Sequence, residues 1–119
     1  MKPNKKLLRK WVTALRSGKY HQTTGTLCKV KKGQSFHCCL GVLCRVLVKE
    51  DIGVEANKNN DNVIDFSYKG ESHDASLPDT INDLVGLPVD VESDLVTMND
   101  NRGATFKQIA DHIKHTFNL

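Results

Sequence analysis

Residues 38–48 read Cys-Cys-Leu-Gly-Val-Leu-Cys-Arg-Val-Leu-Val, a run in which Arg45 is the only strongly polar side chain. Eleven residues are too few to cross a bilayer, which takes about 20, but enough for three helical turns. A helix apolar on nearly every side belongs in the middle of a domain, with other elements packed around it. Gly41 costs such a helix intrinsic stability relative to alanine, so its expected purpose is to admit a neighbouring backbone closely. The fold is therefore read outward from a central buried helix at 38/39–48.

Upstream, Leu7, Leu8, Trp11, Val12 and Leu15 recur at three- and four-residue spacing between lysines and arginines, which predicts an amphipathic helix from about Lys5 to Arg16, with Gly18 placed to end it. Thr26–Val30 and Ser35–His37 flank Lys32-Gly33 and predict a short hairpin. Downstream, the polar run Asn57–Asn62 is expected to turn before a strand at Val63–Tyr68, with Lys69-Gly70 turning again. Pro78 suits the first turn of a short helix carrying Ile81, Leu84 and Val85, stopped at Gly86. After an irregular stretch through Pro88, Phe106, Ile109, Ala110, Ile113 and Phe117 define the last helix, and Thr105 with Gln108 matches a capping box. The expectation is one α+β domain over residues 1–119, with about four helices and a small antiparallel sheet or hairpins. A chain of 119 residues can bury about two-thirds of its unfolded surface, enough for one core.

Charge is distributed unevenly. Up to Lys49 there are twelve Lys or Arg and no Asp or Glu, and from Glu50 onward five basic residues stand against fourteen acidic, so the parts carry +12 and −9 and sum to the net +3. Such asymmetry suits contact with an anion, with the chain's own acidic half, or with a second copy. The economical expectation is that the halves neutralise each other within the fold. The basic start MKPNKKLLRKW lacks the apolar stretch of a signal peptide, because Arg9 and Lys10 follow Leu7-Leu8 at once, so a cytoplasmic protein with reduced thiols is expected.

Cys28, Cys38, Cys39, Cys44 and His37 lie close in sequence, but their spacing is not that of paired zinc ligands, and core packing is the simpler reading. His112 and His115 could meet on one helix face, although surface histidines explain them as well. No nucleophile with a base, no metal set and no phosphate loop can be named, so a binding protein is expected rather than an enzyme, and no cofactor. Lysines and arginines at 2, 5, 6, 9, 10, 16 and 19, extended by Lys29, Lys31 and Lys32, could meet phosphates, but aromatics are not interleaved with them as in single-strand binders. Two polar segments, Arg16–Gly25 and Asn99–Gly103, offer more hydrogen-bonding groups than connectors need. If they converge, Arg16, Tyr20, Gln22, Asn99 and Arg102 could surround a phosphorylated small molecule; otherwise they simply form turns.

W-V-x-A-L-R-S-G-x-Y from Trp11 to Tyr20, C-C-L-G-V-L-C from Cys38 to Cys44, and M-N-D-N-x-G-x-T-F-x-x-I-A-x-x-I from Met98 to Ile113 resemble a family of small uncharacterised phage and prophage proteins. Leu77-Pro78 and Gly86-Leu87 fit the same pattern, with Met98 and Thr105 standing where that family typically has Leu and Ser. The resemblance implies an accessory protein acting inside a bacterial cell, and carries over no catalytic residue. By analogy of context, the leading expectation is capture of a nucleotide-type phosphorylated molecule of the host. The alternatives are inhibition of a host protein through the basic face, and nucleic-acid binding. Self-association stays open.

Overall fold

The structure, a computed structural model, describes residues 2–119. In chain order the elements are α1 (Lys5–Arg16), β1 (His21–Gln22), β2 (Cys28–Lys31), β3 (Gln34–His37), α2 (Cys39–Lys49), β4 (Glu55–Lys58), β5 (Ile64–Tyr68), β6 (Glu71–His73), α3 (Asp79–Val85), α4 (Val89–Asp100) and α5 (Phe106–Phe117). The α+β class is as expected, with five helices rather than four and two three-stranded sheets, ordered β1-β3-β2 and β4-β5-β6.

The central helix is α2, with Cys39 through Cys44, Val46 and Leu47 buried. Gly41 admits the chain just before β2: a Cβ built there would lie 1.7 Å from the Leu27 carbonyl oxygen. That carbonyl also accepts the Cys38 N–H at 3.2 Å, so the close approach is tied at both ends. Helices α1, α2, α4 and α5 close a ring in which each packs on the next. Leu7, Leu8, Trp11, Val12 and Leu15 form the buried face of α1, and the Trp11 indole N–H donates to the Cys39 carbonyl at 2.9 Å, satisfying a polar atom in an otherwise apolar core. The α5 capping box forms as the sequence indicated: Thr105 Oγ1 accepts the Gln108 N–H while Gln108 Oε1 accepts the Thr105 N–H.

Gly86 ends α3 in the left-handed region, at φ 72°, and the chain at Lys2-Pro3 crosses it so closely that a Cβ there would meet the Lys2 carbonyl oxygen at 2.1 Å. The Asn4 N–H donates to the Val85 carbonyl at 2.8 Å, so the start of α1 is fixed to the end of α3.

The sheets differ from expectation in two ways. The predicted hairpin β2–β3 is present and antiparallel, but β1 adds to the other edge of β3 in parallel, pairing His21 with Phe36. The Asn57–Asn62 run also divides: Asn57 and Lys58 belong to β4, and Asn59 turns the chain by accepting the N–H groups of Asp61 and Val63. Strands β4, β5 and β6 form an antiparallel meander, linked to the first sheet by the bridge Lys29–Val63 and by the Val30 N–H donating to the Asn62 carbonyl at 2.7 Å.

Helix α4 occupies residues expected to be irregular or a loop. Its inward positions are Glu92, Leu95 and Asn99, spaced three and four apart on one face. Two of the three are polar, and each is held by hydrogen bonds. Glu92 accepts from the Leu77 N–H at 3.0 Å and from Asn82 Nδ2 at 2.9 Å, tying α4 to α3 and to the segment before it. Asn99 and Asp100 are thus the last turn of a helix, and only Asn101–Thr105 connect it to α5.

Candidate functional site

The two polar segments do converge, but Asn99 fills the space between them. Asn99 Oδ1 accepts from Gln22 Nε2 at 2.9 Å and from the Cys39 N–H at 3.2 Å; its Nδ2 donates to the Thr23 carbonyl and to Asp100 Oδ1, each at 2.8 Å. Gln22 Nε2 also donates to the Ala104 carbonyl at 2.8 Å, and the Gly25 N–H to Asp100 Oδ2 at 3.3 Å. Asn99 is 2% exposed and both of its amide atoms are committed twice, so it caps the buried start of α2 from outside that helix; Cys38, at the N-cap position, contributes no side-chain bond. The other three sequence-selected residues lie elsewhere. Arg16 pairs with Asp111 of α5, Arg102 borders a hollow with Asp94, Thr97 and His112, and Tyr20 borders a groove between α1 and α2.

This last groove combines chemistry that the others lack. Its floor is Ala14 and Val46; its rim carries Lys10, Lys19 and Lys49, the hydroxyls of Thr13, Ser17 and Tyr20, and one carboxylate, Glu50, 2.5 Å from the Lys10 ammonium; the cavity volume is about 210 Å³. Three lysines to one glutamate leave the rim positive. Both α1 and α2 end here, where the helix dipole favours cations over anions by a few tenths to 1 kcal/mol. The last-turn carbonyls are partly occupied, however: that of Ala14 accepts both the N–H and the hydroxyl of Ser17, and those of Val46 and Leu47 accept the Glu50 N–H.

Tyr20 is held in place by what lies behind it. Its ring meets His37 edge-on at 5.1 Å and 87°, and the Lys49 ammonium donates to the Tyr20 hydroxyl at 3.2 Å. His37 Nε2 in turn accepts from Arg45 Nε at 3.2 Å, which puts the imidazole proton on Nδ1, a buried nitrogen without a partner. Burial first, and the Arg45 guanidinium second, lower the His37 pKa to about 4, so the ring is neutral near pH 7. Arg45 lies over the Phe66 ring at 5.3 Å and donates weakly to Cys28 Sγ at 3.8 Å. The one sequence signal for this assembly was Arg45, conspicuous inside an apolar helix, with Lys49 one turn later.

A family model described as a domain of unknown function, DUF8296, matches residues 1–117. The chain belongs to this family. No curated protein and no solved structure matches it.

In this DUF8296 chain the four cysteines are free and buried, as core packing suggested. Burial is the main reason that the Cys38 pKa is raised to about 11 and those of Cys39 and Cys44 stand well above the usual thiol value. Thiols so protected are poor nucleophiles and poor ligands. Among the described residues, no three His, Cys, Asp or Glu side chains form a metal-binding group, and His112 and His115 border different hollows. Among the described residues no helix is long and apolar enough to cross a membrane.

Direct contact between the basic and acidic halves is sparse, at two ion pairs that each join one half to the other. Among the described residues only Lys10–Glu50 and Arg16–Asp111 form ion pairs, although the chain has seventeen lysines and arginines. The cause is placement. The buried stripe of α1 faces α2 and α5, leaving its lysines toward solvent, while Asp79, Asp83, Asp90 and Asp94 are carried by α3 and α4.

Proposed function

We propose that this DUF8296 chain is a non-enzymatic phage or prophage accessory protein that binds and sequesters a phosphorylated small molecule, of nucleotide type, in the cytoplasm of the bacterial host. The reading is supported above all by the Tyr20 groove. Lys10, Lys19 and Lys49 offer charge to a phosphate, the Tyr20 ring offers an aromatic surface to a base, and Ala14 and Val46 give an apolar floor. At about 210 Å³ the groove is smaller than the 300–1,000 Å³ of drug-sized sites, so it suits a phosphate and one ring with the remainder in solvent. Buried neutral His37 keeps the Tyr20 ring oriented without adding charge, which is a preorganised and non-reactive arrangement.

Of the five sequence-selected residues, Tyr20 is the contact this reading uses, while Gln22 and Asn99 are committed to the hydrogen-bond cluster at the start of α2 and are not part of the groove. Arg16 lies about one turn beyond Thr13, on the side of α1 that meets α5, and Arg102 borders another hollow.

Thermal midpoints with nucleoside monophosphates, nucleoside diphosphates, cyclic dinucleotides and NAD test the proposal. A ligand at a hundredfold excess over its Kd adds about 2.7 kcal/mol, a rise of roughly 10 °C at about 4 °C per kcal/mol for a chain of this size. Lys49→Ala should remove most of that rise while leaving the unliganded midpoint within about 2 °C. No rise with any of these probes, or a rise that survives Lys49→Ala combined with Tyr20→Ala, would discard the site.

A further inference from the structure

We infer that the face formed by α1 and α5 binds the phosphate backbone of double-stranded nucleic acid without regard to base sequence. The two helices lie side by side: Arg9, Val12 and Arg16 border a hollow with Lys114 and Leu119, and Arg16 also pairs with Asp111 one turn earlier in α5. At 100° per residue, Lys5, Arg9 and Arg16 fall within about 40° of one another on α1, along the edge that meets α5. By the same geometry Lys107 and Lys114 fall within about 20° of each other on α5, along the edge that meets α1. All five are exposed, and the one carboxylate that either helix contributes is Asp111, already paired with Arg16.

These residues make two rows of cations flanking one seam. The α1 row spans about 16 Å at 1.5 Å per residue, and packed helices are roughly 8–10 Å apart. That separation falls between the widths of the two grooves of B-DNA, about 6 and 12 Å. Each row therefore has a phosphate strand within reach of its side chains.

The class of polyanion follows from what the face lacks. Interfaces with proteins depend on a few desolvated aromatic or aliphatic anchors, but the exposed large apolar side chains among the described residues are Ile52 and Val89, and neither lies on α1 or α5. Single strands are gripped by stacking on aromatic rings, and here Trp11 is 0% exposed while Phe106 and Phe117 are buried. A membrane would need the apolar stripe of α1, which is spent in the core. A polar, positively charged and rigid face without anchors is what a duplex backbone accepts. This inference does not depend on the Tyr20 groove: both surfaces would meet phosphate, but the groove is lined by Lys10, Lys19 and Lys49 and the face by Lys5, Arg9, Arg16, Lys107 and Lys114, so Arg9→Gln/Lys114→Gln leaves the groove's cations in place.

Fluorescence anisotropy with two unrelated 20-base-pair DNA duplexes tests it. Both should bind with the same affinity. Neutralising four to five phosphates gives a slope near −4 in log K against log salt, so that raising salt from about 50 to about 200 mM weakens binding roughly 100- to 500-fold. The variant Arg9→Gln/Lys114→Gln changes only exposed side chains and should keep its circular dichroism and thermal midpoint while the slope becomes shallower by about 2. Absence of binding at low salt, or a slope that the variant leaves unchanged, overturns the inference. Tighter binding to single strands or to poly-glutamate than to duplex overturns it too, assigning the face to another class of partner.

Discussion

Replacing Asn99 by alanine should cost this protein about 3 kcal/mol of stability, far more than a ligand-contacting side chain at a surface would. Asn99 serves four partners, and two of them are backbone groups: the Cys39 N–H at the buried start of α2 and the Thr23 carbonyl in the segment beside β1. Each such group left without a partner costs about 1–3 kcal/mol. Gln22 and Asp100 lose less, because Gln22 is exposed and retains the Ala104 carbonyl, and Asp100 is half-buried and retains the Gly25 N–H. Two orphaned backbone groups give about 2–6 kcal/mol, and since Thr23 is half-buried the lower half applies, about 3 kcal/mol, or a midpoint lowered by roughly 12 °C at about 4 °C per kcal/mol. Urea unfolding with linear extrapolation measures the difference directly, and a double-mutant cycle with Gln22→Ala isolates the side-chain pair, whose coupling should stay near 1 kcal/mol because Gln22 is exposed. A loss below 1 kcal/mol for Asn99→Ala, with the slope of the transition unchanged, would falsify the view that Asn99 is the remote cap of α2. If stability were retained and nucleotide binding lost, Asn99 would belong to the ligand site instead.

Gly41→Ala forces a methyl group to 1.7 Å from the Leu27 carbonyl oxygen; since both partners are backbone, the loss should be about 3 kcal/mol or more, read as a collapse of soluble yield or of the urea midpoint, and a midpoint within 2 °C of wild type contradicts the close approach. Thr105→Ala removes one half of the α5 capping box and should cost about 1 kcal/mol, visible as a drop of some 4 °C, with Thr105→Ser restoring most of it. His37 makes stability depend on pH: its folded pKa, about 4, lies below its ordinary 6.5, so the stabilisation is complete above pH 6.5 and is lost as pH falls from 6.5 toward 4. The loss has an upper figure of about 3 kcal/mol, reduced by solvent screening of the half-buried Arg45 charge; a nuclear magnetic resonance titration should find the His37 ring still neutral at pH 5.5, and a normal midpoint near 6.5 contradicts the assignment.

Helices α1, α2 and α5 were legible because their inward faces are apolar throughout, and periodicity reads apolarity. Helix α4 escaped for the opposite reason: two of its three inward side chains, Glu92 and Asn99, are polar and are stabilised by partners in α3, β1 and α2 that no local pattern reveals. Strand β1 is two residues paired in parallel with a distant segment, below the length at which alternation carries information. Tyr20 could be selected from its polar neighbourhood, but its support comes from His37 on β3 and Lys49 on α2, brought together only by the tertiary fold. The charge halves were plain in the composition, whereas the small number of ion pairs between them depends on which helix faces are already occupied by the core.

The four enclosed thiols give the molecule an internal clock for its own opening. Alkylating reagents need a thiolate at the surface, and in the closed state Cys28, Cys39 and Cys44 are fully covered while Cys38 is 6% exposed with its proton firmly held. Modification therefore waits for the elements packed on α2 to open, the β2–β3 hairpin that carries Cys28 and the helix α4 whose Leu95 carbonyl meets Cys39 Sγ, and the rate at which mass increases in native buffer reports how often they do. Cys28 lies on the hairpin and Cys44 on α2, so labelling at both with one rate constant marks a single cooperative unit, and labelling of Cys28 ahead of Cys44 marks a hairpin that moves alone. The wild-type chain thus carries the reporters for dissecting its own cooperativity, without a dye or an engineered residue.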